Sequence, residues 1–455
     1  MTNFSVVGLG KLGASMAAAI ADRGFKVIGV DVNHRAVDSM NAGHAPVQET
    51  DLEKTIIRNK ERLSATLSHQ EAIVNSDVSF VVVPTPSDEK GAFSLQYAAW
   101  ACKEIGRSLY EKDSYHLVVL TSTVLPGSTR YGLLPVLERE SRKKCGKDFG
   151  LCYSPEFIAL GSIIHDFLNP DFTLVGEFDK KSGALLETCY KKIMVNNPPC
   201  KLMSIENAEL AKIALNTYVT TKITYANMLA DLCERIPGGD VDVVTEALGT
   251  DTRIGIKYLK GAFGYGGPCF PRDNVALSYF ARTLGTKADI AEATHFYNKA
   301  MVGKIVEKLK KEIHHGDTVA ILGLSYKPYS HVLEESQGVY LAQALIQAGI
   351  RVVAFDPLAG EIANVELEGS VLIFDSLQDC LDQADIVLIT TPDPAFKVID
   401  IDDFKGRKVT VVDFWRILSN RLSDSSNIRY IPYGRSINES ENAERLSKIW
   451  NISNS

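Results

Sequence analysis

A chain of 455 residues is long enough for two or three domains, each with its own core. With 45% hydrophobic and 23% charged residues it has the composition of a globular protein, and no apolar run is long enough to span a bilayer. A net charge of −7 gives no basic footprint for nucleic acid, so an anionic ligand has to be held by local groups.

The N-terminus, MTNFSVVGLG, runs straight into a strand and lacks the basic segment of a signal peptide. The segment FSVVGLGKLGASMAAAIADRG then reads as strand, turn and Ala-rich helix, with Gly8, Gly10 and Gly13 spaced as G-x-G-x-x-G. Asp31 closes the next strand, KVIGVDVN, where a dinucleotide fold places its ribose-binding acid. Such glycines let the backbone approach a pyrophosphate, and the helix N-terminus supplies N–H groups and a positive dipole. A carboxylate at Asp31 repels a 2′-phosphate and so favours NAD over NADP. His34 and Arg35 follow closely and temper that preference.

Three more apolar runs, SDVSFVVVPTP, HLVVLTSTVLPGS and FGLCYSPEF, end in polar or Pro-rich loops. Ligands collect at strand carboxyl ends in a doubly wound sheet. Thr85, Thr123 and Glu156 are therefore candidates for one ligand-binding edge, with loop or capping roles as the plain alternative.

The segment ENAELAKIALNTYVTTKITYANMLADLCERI keeps helical spacing without Gly or Pro, with Leu210, Ala214 and Thr217 on its apolar face. A helix this long bridges domains or builds an interface. Lys212 and Asn216 stand i,i+4 on one side of it, with Glu209 one turn earlier. These residues read either as a solvated polar face or as catalytic groups. Asp240 reads as the N-cap of VDVVTEAL and Gly249 as its stop.

The stretch GYGGPCFPRD frames Cys269 with glycines and prolines. The glycines permit tight turns and close approach, Pro268 and Pro271 stiffen the loop, and Arg272 favours a thiolate. Cys269 is thus a candidate nucleophile. The other seven of the 8 cysteines are scattered, without a Cys-x-x-Cys, and read as small buried hydrophobes in a reducing, cytoplasmic setting. No disulfide scaffold or metal site is expected. Asp273 is an N-cap for NVALSYFARTLG, a catalytic group, or both.

From about residue 316 the strand–turn pattern restarts in DTVAILGLSYKP, RVVAFDP, ADIVLITTPDP and KVTVVDFW, a second Rossmann-like unit. Its first turn has only Gly323 where the first unit has three glycines, which makes it a poor dinucleotide site. Beyond Tyr433 the chain is polar and is expected to be poorly ordered.

A nucleotide site together with a nucleophilic cysteine points to alcohol oxidation through a covalent thioester. In that scheme Lys212 and Asn216 stabilise oxyanions, and Glu156 or Asp273 acts as base.

These residues resemble the nucleotide-sugar 6-dehydrogenases typified by UDP-glucose and GDP-mannose dehydrogenases, nearly end to end. The resemblance implies NAD contacts at Gly8, Gly10, Lys11, Leu12, Gly13 and Asp31, and in the VPTP and STVLPGS loops at Thr85, Pro86, Ser122 and Thr123. It carries catalytic roles onto Thr123, Glu156, Lys212, Asn216, Cys269 and Asp273. Substrate contacts fall on Glu156 and Phe157 of SPEF, on Lys212 and Asn216, on Arg253 of DTRIG, and on Tyr258, Lys260, Gly264, Tyr265 and Gly266. Tyr326 and Lys327 of SYKP and Arg416 of DFWRI complete them. Leu160 stands where the family often has an acid, and Glu334 where it usually has an arginine.

The expected fold is α/β, with two Rossmann-like doubly wound domains joined by a long-helix central region. The boundaries are an NAD domain at 1–200, a helical dimerisation and catalytic domain at 201–312, a nucleotide-sugar domain at 313–440 and a tail at 441–455. The expected protein is a cytoplasmic homodimer that oxidises a UDP- or GDP-hexose at C6 to a uronic acid and binds neither membrane nor nucleic acid. The alternatives are a single-step hydroxyacid-type dehydrogenase and a non-catalytic nucleotide-sugar-binding protein. Which nucleotide and which sugar the chain takes are not set by its sequence.

Overall fold

The computed structural model describes residues 2–450. It divides into two compact units, Met1–Leu215 and Asn216–Ser455. Each carries one twisted sheet, so the α/β class and both Rossmann-like units stand as expected.

The first unit holds eight strands: β1 (Phe4–Val7), β2 (Val27–Val30), β3 (Leu63–Thr66), β4 (Val78–Val81), β5 (His116–Leu120), β6 (Phe149–Tyr153), β7 (Thr173–Glu177) and β8 (Cys200–Ser204). Their order is β3-β2-β1-β4-β5-β6-β7-β8. The pairs from β3 to β6 are parallel, as is β7 with β8, while β6 and β7 run antiparallel. The order reverses between β1 and β4, the switch point where doubly wound sheets take ligands. Strands buried on both faces read as continuous apolar runs, and β1, β4, β5 and β6 are buried throughout.

The first helix, Lys11–Asp22, explains its alanines. Ala14, Ala17, Ala18, Ala19 and Ala21 are fully buried, so small side chains let the helix lie close against β1 and β2. Gly13 extends the same logic, because a Cβ there would meet the Gly8 carbonyl oxygen at 1.8 Å.

The second unit has six strands in the order β11-β10-β9-β12-β13-β14, all parallel. They are β9 (Thr318–Leu322), β10 (Arg351–Phe355), β11 (Leu372–Ile373), β12 (Ile386–Ile389), β13 (Val409–Asp413) and β14 (Ile428–Pro432). Helices Val241–Thr250, Phe270–Thr283 and Asp289–Leu309 precede this sheet.

The long helix spans Ile205–Cys233, close to its sequence expectation. Its buried stripe differs from the one expected. Ile205, Ala208, Glu209, Lys212, Ile213, Asn216, Thr217 and Thr220 point inward, while Leu210 is exposed. The polar residues therefore lie on the buried face, which removes the solvated-face reading of Lys212 and Asn216.

Three local expectations need correction. Asp240 does cap its helix, accepting from the Asp242 N–H, but Gly249 lies inside that helix, which runs on to Thr250. Gly249 is small because Ile256 packs on it, with Cδ1 2.5 Å from where a Cβ would be. Asp273 is not an N-cap: its helix starts at Phe270 behind Cys269, with Pro271 in the first turn where a missing N–H costs nothing. The polar tail forms a helix, Glu439–Ile449, whose Asn442 is buried and donates to the Glu234 carbonyl and the Ser436 hydroxyl. Residues 451–455 of the expected tail lie outside the described residues.

Candidate active site

In the first unit, four of the expected loops follow the parallel strands β1, β4, β5 and β6, so they share one edge of the sheet. After β1, Gly8 has φ +100°, and a Cβ on it would meet the Val82 carbonyl oxygen at 2.3 Å. Gly8 and Gly13 are thus demanded by the protein's own packing. Gly10 is not: a Cβ there would meet nothing within 4 Å. Gly10 is the N-cap position of the first helix, which has no side-chain cap and no acidic residue in its first turn, only Lys11. Open space over an uncapped helix N-terminus is what a pyrophosphate needs.

Asp31, at the end of β2, accepts from Leu9 N at 2.6 Å and Asn33 N at 2.8 Å. Its carboxylate is thereby fixed beside Leu9 of the glycine turn, while Leu12 lies in the first turn of the helix that follows. After β4 and β5, the Thr85 hydroxyl donates to the Thr123 carbonyl at 2.7 Å. The Ser122 hydroxyl accepts from Val83 N and donates to Val83 O. The Pro86 carbonyl accepts from Ser94 N. The two loops are stitched to each other.

After β6, Glu156 lies in the SPEF loop. Part of its side chain is exposed, yet burial pushes its carboxyl up to about 8, with the Lys212 ammonium pulling the other way. Lys212 is buried, donates to the Glu156 carbonyl at 2.5 Å and sits 4.4 Å from the centre of the Phe157 ring. Phe157 in turn packs on Phe172 at 5.0 Å. Glu209, one turn before Lys212, is fully buried, and its carboxyl is pushed up to about 7 by burial against hydrogen bonds from Thr129 and Gly127. The sequence marked Glu209 only as a neighbour of Lys212. Its signal was a carboxylate on the same stripe as two buried positions.

In the second unit, Cys269 is the only exposed thiol of the eight, and it occupies the N-cap position of the helix Phe270–Thr283. Burial pushes the Cys102 and Cys380 thiols up to about 12 and that of Cys189 to about 11, which keeps them inert. One turn into the helix, Asp273 is 1% exposed and accepts from Asn216 Nδ2 at 2.6 Å. Asn274 beside it bonds the Thr220 hydroxyl and the Phe270 carbonyl. Arg272 Nε lies 3.9 Å from Asp273 Oδ1.

The glycines before Cys269 have a reason that the sequence did not show. A Cβ on Gly264 would strike Asn298 and Gln337, on Gly266 the Glu335 carbonyl at 2.4 Å, and on Gly267 the Tyr326 ring at 2.6 Å. Gly267 also has φ +85° and donates to the Glu334 carbonyl at 2.9 Å. Tyr265 is clamped by Asn298 through its N–H and carbonyl, and by Gln337 through its carbonyl. The loop is gripped by the segment 326–337, and the glycines permit that close packing. The Glu334 side chain itself is exposed. Burial, with Cys269 adding to it, pushes the Tyr326 hydroxyl up to about 12, and Lys327 Nζ lies 5.7 Å from the Tyr326 ring centre.

The remaining expected substrate residues have other partners. Arg253 is exposed and forks onto Asp251. Tyr258 is exposed, with φ +66°. Lys260 lies 3.5 Å from Asp242. The Arg416 side chain is 1% exposed, pairs with Asp242 through Nε and Nη2, and donates from Nη1 to the Phe414 and Tyr433 carbonyls. In the second Rossmann-like unit, Asp356 accepts from the N–H groups of Leu324, Ser325, Leu358 and Ala359. Both of its carboxylate oxygens are engaged by the backbone.

Three models of one family match in succession. The NAD binding domain of the UDP-glucose/GDP-mannose dehydrogenase family matches residues 2–194, its central domain 206–300 and its UDP binding domain 320–420. UDP-glucose 6-dehydrogenase AglM of Haloferax volcanii is 34% identical, over 92% of this chain and 97% of its own. GDP-mannose 6-dehydrogenase of Pseudomonas putida is 33% identical, over 89% and 94%. The solved structure of a UDP-glucose dehydrogenase from Pyrobaculum islandicum is 33% identical, covers 96% of this chain and 98% of its own, and superposes with a TM-score of 0.87.

Proposed function

Because the chain belongs to the UDP-glucose/GDP-mannose dehydrogenase family and is an NAD-dependent nucleotide-sugar 6-dehydrogenase, we propose that it carries a UDP- or GDP-hexose through a four-electron oxidation at C6, to the uronic acid, by way of Cys269. The observation that carries this reading is the single exposed thiol of eight, set at a helix N-terminus. NAD, when bound, supplies the hydride-accepting chemistry, one molecule for each two-electron oxidation.

The chain's own groups do the rest. The turn at Gly8, Gly10 and Gly13 seats the pyrophosphate, and Asp31 accepts from the ribose. Loss of a hydride from C6 and of its hydroxyl proton, which Glu156 or Asp273 takes, leaves the aldehyde. The Cys269 sulfur adds to it, and the positive end of its helix favours the anion. The oxygen of the thiohemiacetal so formed bears negative charge, which the Lys212 ammonium and the Asn216 amide stabilise. Oxidation of this adduct leaves a thioester on Cys269. Water adds to the thioester carbonyl, Glu156 or Asp273 takes the proton, Thr123 orients the water, and the thiolate departs. Splitting one difficult oxidation across a covalent intermediate lowers each barrier.

Arg253, Tyr258, Lys260 and Lys327 are proposed substrate contacts, with domains at 1–200, 201–312 and 313–440. We further propose a homodimer in which Arg253 of one chain completes the site of the other. Support comes from the outward face of the long helix, where Tyr218, Tyr225 and Leu232 are exposed. Free cysteines throughout fit a cytoplasmic location. No helix among the described residues is long and apolar enough to cross a membrane.

The test is NADH release across a panel of UDP- and GDP-hexoses. Release with one sugar nucleotide supports the reading and names the substrate. Binding of sugar nucleotides without NADH release would make the chain a binding protein.

A further inference from the structure

Glu209 is a fully buried carboxylate to which the chemistry above gives no role. Its two oxygens are each taken by backbone: Oε2 accepts from Gly127 N at 2.5 Å and Oε1 from Thr129 N at 2.8 Å. Burying a carboxylate is costly unless hydrogen bonds compensate it. One turn earlier on the same helix, Glu206 pairs with Arg130 at 2.5 Å. Two consecutive carboxylates of the helix that carries Lys212 thus hold the segment 127–130. Gly127 has φ +90°, and a Cβ there would come within 3.2 Å of the Tyr131 ring.

That segment is the rear end of the loop carrying Ser122 and Thr123. The front end is fixed to the β4 loop through Thr85 and Val83. Between the two fastenings lie Val124, Leu125 and Pro126, with Val124 fully buried.

We propose that Glu209 is a positioning residue that fastens the rear of the 122–129 loop to the helix turn bearing Lys212 and so sets where Ser122 and Thr123 meet the dinucleotide. The inference rests on the reading of Ser122 and Thr123 as NAD contacts. It predicts that NAD binding, more than sugar-nucleotide binding, depends on this carboxylate.

The experiment compares the full-length enzyme with Glu209→Gln and Glu209→Asp, measuring KM for NAD and for the sugar nucleotide separately. Glutamine keeps the size but presents an NH2 to one of the two backbone donors. It should raise KM for NAD about tenfold while the sugar-nucleotide KM changes by less than about twofold. Aspartate keeps the charge one methylene short and should recover part of the loss. An unchanged NAD KM in Glu209→Gln, or equal increases in both KM values, overturns the proposal. If neither variant folds, hydrogen exchange of the wild-type 122–129 segment with and without NAD decides. Slower exchange on NAD binding supports the fastened cofactor loop, and unchanged exchange overturns it. Failure of wild-type protein to bind NAD at all would instead overturn the cofactor reading itself.

Discussion

Asn216 donates from Nδ2 to Asp273 Oδ2 at 2.6 Å, joining the long helix to the first turn of the helix headed by Cys269. Asp273 is 1% exposed, so the bond lies out of water, where a lost partner is costly. Asp273→Ala leaves the Asn216 amide without this acceptor and should lower stability by about 1–3 kcal/mol, read as a fall in Tm. Asp273→Asn keeps the shape but removes the charge. It should retain most of the stability and lose turnover by about 10²-fold. Full turnover in Asp273→Asn would make the residue purely structural.

Gly10 and Gly13 belong to one motif yet should behave oppositely. Alanine at Gly10 meets nothing within 4 Å, so Gly10→Ala should fold with an unchanged Tm and bind NAD more weakly. Alanine at Gly13 meets the Gly8 carbonyl at 1.8 Å, so Gly13→Ala should lower Tm. Thermal melts with and without NAD separate the two cases. A Gly10→Ala protein with unaltered NAD affinity would remove the pyrophosphate from that turn.

Glu156 gives the pH dependence. Burial raises its carboxyl from the usual 4.5 to about 8, so at pH 7 the proton-accepting form is the minority. If Glu156 is the base, turnover should rise with pH through about 8, and Glu156→Gln should flatten that limb as well as slow the enzyme. The stability linkage has the opposite slope. A folded pKa above the unfolded one contributes stability that is fully present below pH 4.5 and is lost as pH rises through about 8. A Glu156→Gln profile with the same limb as wild type would assign the base elsewhere.

Lys212 is buried and already donates to the Glu156 carbonyl. An ammonium aimed at a developing oxyanion acts mainly in the transition state, so Lys212→Ala should lower kcat far more than it raises the sugar-nucleotide KM. A rise in KM alone would recast Lys212 as a phosphate ligand.

Much of this was legible in the sequence because glycine spacing, continuous apolar runs and helical periodicity carry strong local signals. GLGKLG after an apolar strand folded as read, and the long helix kept its expected span though not its expected buried stripe. What was not legible depends on packing between residues far apart in the chain. The burial of Glu209 is fixed by loop 127–129, and the glycines before Cys269 by Tyr326, Asn298 and Glu335. Arg416 entered the substrate contacts through the resemblance alone, and its pairing with Asp242, 174 residues earlier, is a contact that local sequence does not reveal. The tail looked disordered by composition, and the buried Asn442 anchors it as a helix.

The central claim is that Cys269 carries the acyl intermediate. It is tested most directly by the stoichiometry of NADH to sugar consumed, measured for wild type and Cys269→Ala with the active sugar nucleotide. The account predicts two NADH per sugar and a uronate product for wild type, and no uronate for Cys269→Ala, whose NAD affinity stays within about threefold. One NADH per sugar with a free carbonyl product, or uronate formed by Cys269→Ala at the wild-type rate, would contradict it.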